Sequence, residues 1–257
     1  MQYKGRDIML NPMFCRMSAR GKYIAICEGD DYWTDPLKLQ KQVDFLEEHP
    51  EYVLTFTDAI VVGANGAPTG DVLPPPVDRR DLSSADLACF AWVPTLTVCY
   101  RHGVVLPPEF YMVKNGETFL WSLLSSRGGA KYLGGAVAPS CYRVHGRGVW
   151  SSVPLSVKRR YQLDTAYWMW RYARRIGRRQ DAARIAKYYW RLLWTAWDEY
   201  RIGEPSWSER RALLRSALRA LPFGSGRDRA AALARIGGFA SRCILGWTNR
   251  RWRAVGR

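Results

Sequence analysis

Residues 1–155 predict an α/β layer structure, and residues 156–257 predict an all-helical, strongly basic region. Three observations divide the chain this way. Short β-branched apolar runs alternate with helical stretches up to about residue 150, and beyond residue 156 apolar side chains recur at helical spacing. The charge divides at the same place. Residues 1–150 hold 15 Lys and Arg against 16 Asp and Glu, and residues 151–257 hold 24 against 7, within a net charge of +16.

GKYIAI (21–26) reads as an apolar strand running into the acidic stretch CEGDD. TDPLKLQKQVDFLEEHP (34–50) reads as a helix. Asp35 stands at its cap, Pro36 at its first position, Leu39, Val43 and Leu46 on one face, and Pro50 at its end. YVLTFTDAIVV (52–62) is a second strand, NGAPTG (65–70) a turn, and VLPPPVDRR (72–80) a Pro-rich loop before a short helix near LSSADLACF. PTLTVCYR (94–101) reads as a third strand, GETFLWSLLSSRGG (116–129) as a helix, and KYLGGAVAPSCYRVH (131–145) as a strand or hairpin. In the second region Leu163, Tyr167, Trp170 and Ile176 mark one helical stripe. Ile185, Tyr189, Leu192 and Ala196 mark another, beyond a break at Gly177. Ser206 with Glu209 forms a capping box for a third helix, which Pro222 stops.

At 257 residues and 47% hydrophobic, the chain is long enough for a sizeable core. Its first twenty residues mix charges among short apolar runs, unlike a secretory leader. The longest uncharged run, residues 87–100, is too short to span a bilayer. These features predict a cytoplasmic protein, either free or peripheral on the inner face of the plasma membrane. The six cysteines are scattered without zinc-ligand spacing, which fits unpaired thiols in a reducing compartment.

Glu28, Asp30 and Asp31 crowd the end of the first strand. Carboxylates this close repel unless a cation or hydrogen bonds offset them. Oxygen-rich ligands at a strand's C-terminal edge suit Mg²⁺ or Mn²⁺, which in turn bind phosphate oxygens, and ligands in open α/β sheets lie at that edge. A solvated acidic turn capping the next helix is the competing reading.

The stretch from GKYIAICEGDDYW through LTFTDA resembles the middle of family 2 glycosyltransferases, which have the GT-A fold. The resemblance continues in order through PTLTVCYR, NGETFLWSLLSSRG and YRVHGRGVWS, covering residues 18–152. It implies a partial GT-A-like mixed sheet with flanking helices. It also implies an inverting transfer from a nucleotide-sugar to a glycan or lipid-linked acceptor, as in cell-surface polysaccharide synthesis. By this resemblance Glu28-Gly29-Asp30 takes the place of the D-x-D motif, with Asp31 beside it on the donor. Glu28, Asp30 and His145 would then hold the divalent cation, Asp30 foremost. Glu117 takes the place of the general base, although a Glu in a first helical turn also simply complements the helix dipole. Arg143 and Arg147 would meet phosphate, and Gly146 and Gly148 would let their loop close over the donor. Trp33 and Trp150 would stack on sugar or base, or else belong to the core.

The chain departs from the family pattern at its start. The strand and loop that grip base and ribose precede the acidic motif in the family, and here Met1 lies only a short way upstream. The expectation is a truncated start, a non-catalytic remnant with a basic helical surface, or a partner chain that supplies the missing strands. Residues 151–257 also hold eight of the twelve tryptophans amid Arg-rich helical faces. That composition suits an anionic membrane surface, or else a solvated helical bundle with Trp inside. No helix-turn-helix, zinc-finger or RNA-binding signature accompanies the charge, so nucleic acid is not expected.

Overall fold

The computed structural model describes residues 15–146, 148, 150–202, 206–223, 226–227, 229–234 and 237. The chain folds as a mixed α/β structure followed by a helical region. Its elements run β1 (Tyr23–Ala25), α1 (Lys38–Glu48), β2 (Tyr52–Phe56), β3 (Ala59–Val62), β4 (Pro68–Leu73), α2 (Ser84–Ala88), β5 (Cys99–Arg101), α3 (Gly116–Leu124), β6 (Gly129–Tyr132) and β7 (Ser140–Arg143). Three long helices follow, α4 (Leu155–Arg175), α5 (Arg179–Ile202) and α6 (Trp207–Ala220), and helical residues recur among those described beyond 225.

Two mixed sheets form. The first has the order β1-β5-β2-β6, with β5 antiparallel to both neighbours and β6 parallel to β2. The second has the order β4-β3-β7, with β4 antiparallel and β7 parallel to β3. The apolar run 52–62 thus serves both sheets, broken at Thr57 and Asp58. Asp58 accounts for the break: its carboxylate accepts the Tyr132 hydroxyl at 2.6 Å and lies 3.5 Å from Arg79.

Several local expectations are corrected. PTGDVL is an edge strand rather than a turn and loop, because β3 supplies a pairing partner, with Ile60 opposite Val72. PTLTVCYR yields only a three-residue strand, since Thr95–Thr97 winds into a 3-10 turn after Pro94. The stretch 131–145 does not fold back as a hairpin: β6 joins β2 and β7 joins β3. Neither Asp35 nor Pro36 takes its expected place in α1: the helix starts at Lys38 with Leu37 as an N-cap that has no side-chain cap, and Asp35 lies before it, accepting the Leu37 backbone N–H at 2.8 Å. The inward face of α1 carries Lys38, Gln42 and Leu46, and Leu39 is exposed beside it.

In α3, Phe119, Leu120, Trp121, Leu123 and Leu124 are all buried. Each such side chain contributes roughly 1.5–3 kcal/mol when removed from water. Phe119 meets Tyr172 of α4 edge-on at 5.7 Å, so one core runs from the first sheet into the helical region. Arg175 ties the end of α4 to Glu109 at 2.7 Å. Ile176, expected on the buried stripe, is exposed where the helix ends. Gly177, at φ +78°, turns the chain between α4 and α5. The Ser206–Glu209 capping box forms as expected, the Ser hydroxyl accepting the Glu209 backbone N–H at 3.3 Å. No described helix is long and apolar enough to cross a membrane.

Candidate functional site

The acidic turn is held between the two sheets. Ile26 donates its N–H to Val98 at 3.4 Å on the side of β5, and Tyr32 exchanges backbone hydrogen bonds with Cys141 of β7 at 3.2 and 2.8 Å. Between these anchors the chain turns sharply, with the Asp31 N–H donating to the Glu28 carbonyl at 3.1 Å. A residue far along the chain then meets the turn. His145, just past β7, places Nε2 2.9 Å from Asp30 Oδ2, across 115 positions of sequence.

Asp31 is the most constrained of the three acids. Its Oδ1 accepts the Arg143 backbone N–H at 2.7 Å, while its buried Oδ2 has no hydrogen-bond partner among the described residues. Burial, followed by the charge of Asp30, pushes its carboxyl up to about 6, against the pull of the Arg143 N–H. Glu28 is exposed to solvent, and nearby protein atoms still desolvate its carboxyl in part. That partial desolvation, with the charges of Asp31, Glu117 and Asp30, pushes it up to about 7. Desolvation likewise raises Glu117, in the first turn of α3, where Arg16 offers a partly compensating charge. Glu117 is among the groups whose charge raises Glu28, so the two carboxyls are within electrostatic reach. Acids raised toward neutrality and gathered at a sheet edge are characteristic of a reactive site, though ion networks can produce the same effect.

The remaining predicted residues divide. The Arg143 guanidinium donates to the backbone carbonyls of Asp30 at 3.0 Å, Gly63 at 3.3 Å and Ala64 at 3.2 Å, so it braces the acidic turn. Trp33 donates its indole N–H to the Leu96 carbonyl at 2.7 Å, and Lys38 Nζ lies 4.6 Å from its ring, which makes it a packed residue. Trp150 is 37% exposed, with Lys158 5.4 Å from its ring. Arg147 lies outside the described residues. Among its described neighbours, the Gly148 N–H donates to the His145 carbonyl at 3.1 Å and Ser152 Oγ to the Gly148 carbonyl at 2.6 Å.

Sequence reasoning missed the buried support beneath this turn. Lys38, 1% exposed, donates to Gln42 at 2.6 Å and to the Thr97 carbonyl at 3.1 Å, and burial lowers its ammonium to about 8. Gln42 donates in turn to Thr97 O at 2.9 Å and Thr55 Oγ1 at 3.1 Å. A Lys and a Gln four apart on α1 were the available signal.

Among the described residues no three His, Cys, Asp or Glu side chains gather into a ready metal cage. Of the three expected ligands, the structure joins Asp30 and His145 directly. That carboxylate and imidazole would supply a divalent cation with two protein ligands, leaving its other positions to water or substrate oxygens. They do not amount to a self-sufficient site.

No protein-family model matches the chain. It is similar to an uncharacterized protein of Mycobacterium bovis, 39% identical over 140 residues, or 52% of this chain and 38% of that protein. Uncharacterized proteins from two strains of Mycobacterium tuberculosis match over the same length and at the same identity. The chain therefore spans well under half the length of these curated relatives.

Proposed function

We propose that this chain is a metal-dependent glycosyltransferase with a GT-A-like partial sheet. It resembles family 2 and moves a sugar, with inversion, from a nucleotide-sugar to a glycan or lipid-linked acceptor. The observation that supports this reading best is the contact of His145 with Asp30 beside the unpartnered Asp31 oxygen.

Asp30 and His145 would hold Mg²⁺ or Mn²⁺, which when bound neutralises the charge developing on the departing diphosphate. Asp31, oriented by the Arg143 N–H, keeps a second, buried oxygen without a hydrogen-bond partner next to Asp30 in the chain. Glu117 accepts the proton of the acceptor hydroxyl as that oxygen bonds to the anomeric carbon. The bond from that carbon to the diphosphate breaks, and its electron pair leaves with the phosphate. A carboxyl raised by burial is a stronger base than an ordinary glutamate, which suits this role.

Radiolabelled sugar transfer tests the reading. Glu117→Gln should lower turnover by about 10²–10⁴-fold with donor affinity unchanged. Wild-type turnover in that variant would remove the base assignment. A second reading, a non-catalytic binding module, draws on the lack of a three-ligand cage among the described residues. It would be favoured if the unaltered chain bound Mn²⁺ with a nucleoside diphosphate but transferred no sugar from any donor.

A further inference from the structure

We propose that the outer faces of α4 and α6 form a docking surface for an anionic lipid bilayer. The inference rests on these helices alone and does not depend on the glycosyltransferase reading. Leu163, Ala166, Met169 and Ala173 turn one side of α4 into the core, and Leu213, Ala217 and Ala220 do so for α6. The opposite sides are basic. Arg160, Arg171 and Arg174 are exposed on α4, interleaved with half-buried Tyr161, Tyr167 and Trp168 at three- and four-residue spacing. Arg211, Arg215 and Leu218, the last 52% exposed, occupy the outer face of α6.

Arg219 joins the two faces across their seam. Its guanidinium donates to Asp164 at 2.8 Å and sits 4.0 Å above the Tyr167 ring. Together the two helices carry ten Lys and Arg against two acids, Asp164 and Glu209. Both acids are already engaged, Asp164 by Arg219 and Glu209 by the Ser206 cap. Among the described residues, Arg160, Arg171, Arg174, Arg211 and Arg215 have no carboxylate within ion-pairing distance. Glu209 and Glu109 act on Arg160 and Arg171 only through space, and the cationic excess that remains complements an external anion.

The rings indicate which anionic partner fits. Arg171 lies 5.2 Å over Trp168 and Arg160 5.8 Å over Tyr161, so guanidinium groups already cover the faces on which nucleic-acid bases would stack. Partly buried Trp and Tyr rings flanked by exposed Arg suit the headgroup layer, which takes amphipathic rings and phosphate-bound cations together.

Vesicle sedimentation of the full chain tests the proposal. The chain should sediment with phosphatidylcholine vesicles containing phosphatidylglycerol, should not sediment with phosphatidylcholine alone, and should release as salt rises. Each arginine near such a surface is worth on the order of fivefold in partitioning, so Arg160→Gln, Arg171→Gln and Arg174→Gln combined should weaken it roughly 100-fold. The same three positions changed to Lys should keep most of it, with circular dichroism checking the fold of both variants. Equal retention on neutral and anionic vesicles would overturn the proposal. So would unchanged binding of the triple Gln variant, or preferential binding to duplex DNA that the same substitutions abolish.

Discussion

Replacing Asp31 by Asn should stabilise the chain at neutral pH when no ligand is bound. The amide oxygen of the introduced side chain would still accept the Arg143 N–H, which Asp31 Oδ1 receives at 2.7 Å, and its neutral NH₂ would sit where the buried Oδ2 now lacks a partner. A carboxyl held at about 6 in the folded chain against an ordinary 3.8 corresponds to about 3 kcal/mol. Asp31 is only partly buried, and water screens the penalty, so the expected gain is about 1–2 kcal/mol. The sign follows from proton binding. Between those two pKa values the folded chain holds the proton more tightly than the unfolded chain, so the wild type loses stability as pH rises through that window. The advantage of Asp31→Asn should therefore be small in acid, grow through the window and level off above it. Urea unfolding of both proteins across this range measures it. A destabilised variant at neutral pH, or a difference independent of pH, would refute the argument. Saturating Mn²⁺ with a nucleoside diphosphate should raise the wild type more than the variant and erase the gap.

Two other substitutions examine the site and the frame around it. Asp30→Ala removes the partner of His145, and calorimetric titration with Mn²⁺ and a nucleoside diphosphate should show affinity at least about tenfold weaker, since charge-assisted contacts are worth about 1.5–3 kcal/mol. Unchanged affinity would discard the cation site. Gly177→Ala should cost about 1–2 kcal/mol in thermal unfolding, because φ is +78° there while an added methyl would meet nothing within 4 Å. A larger loss would mean that packing, rather than backbone conformation, selects glycine.

The helical region was readily legible in the sequence. The helices themselves, the Gly177 break and the Ser206–Glu209 box rest on local signals, and each falls where it was expected. The sheets were legible only in part. β4 contains Pro68, Gly70 and Asp71, and it extends because β3 pairs with it, which no local propensity records. The break at Asp58 depends on Tyr132 and Arg79, both distant in sequence. The acidic turn itself was plain from composition, but the approach of His145 to Asp30 is a tertiary event that no local signal records. Arg143 looked like a phosphate ligand because a guanidinium suits phosphate. Its actual partners are carbonyls that become neighbours once β7 docks beside β3.

That docking has a temporal side. The acidic turn leaves the ribosome 115 residues ahead of His145, which at about 5–20 residues per second is a lag of roughly 6–23 s. During that interval the nascent chain carries Glu28, Asp30 and Asp31 without the Arg143 N–H or the His145 imidazole to temper their repulsion. It also leaves the Ala-Ile-Val-Val strand β3 open on the side that β7 will occupy, with β4 able to cover only its other edge. An open apolar edge of this kind is a template for pairing with neighbouring chains. Nascent chains halted before residue 140 should therefore need holding by a chaperone, and release from that dependence should coincide with synthesis of Ser140–Arg143.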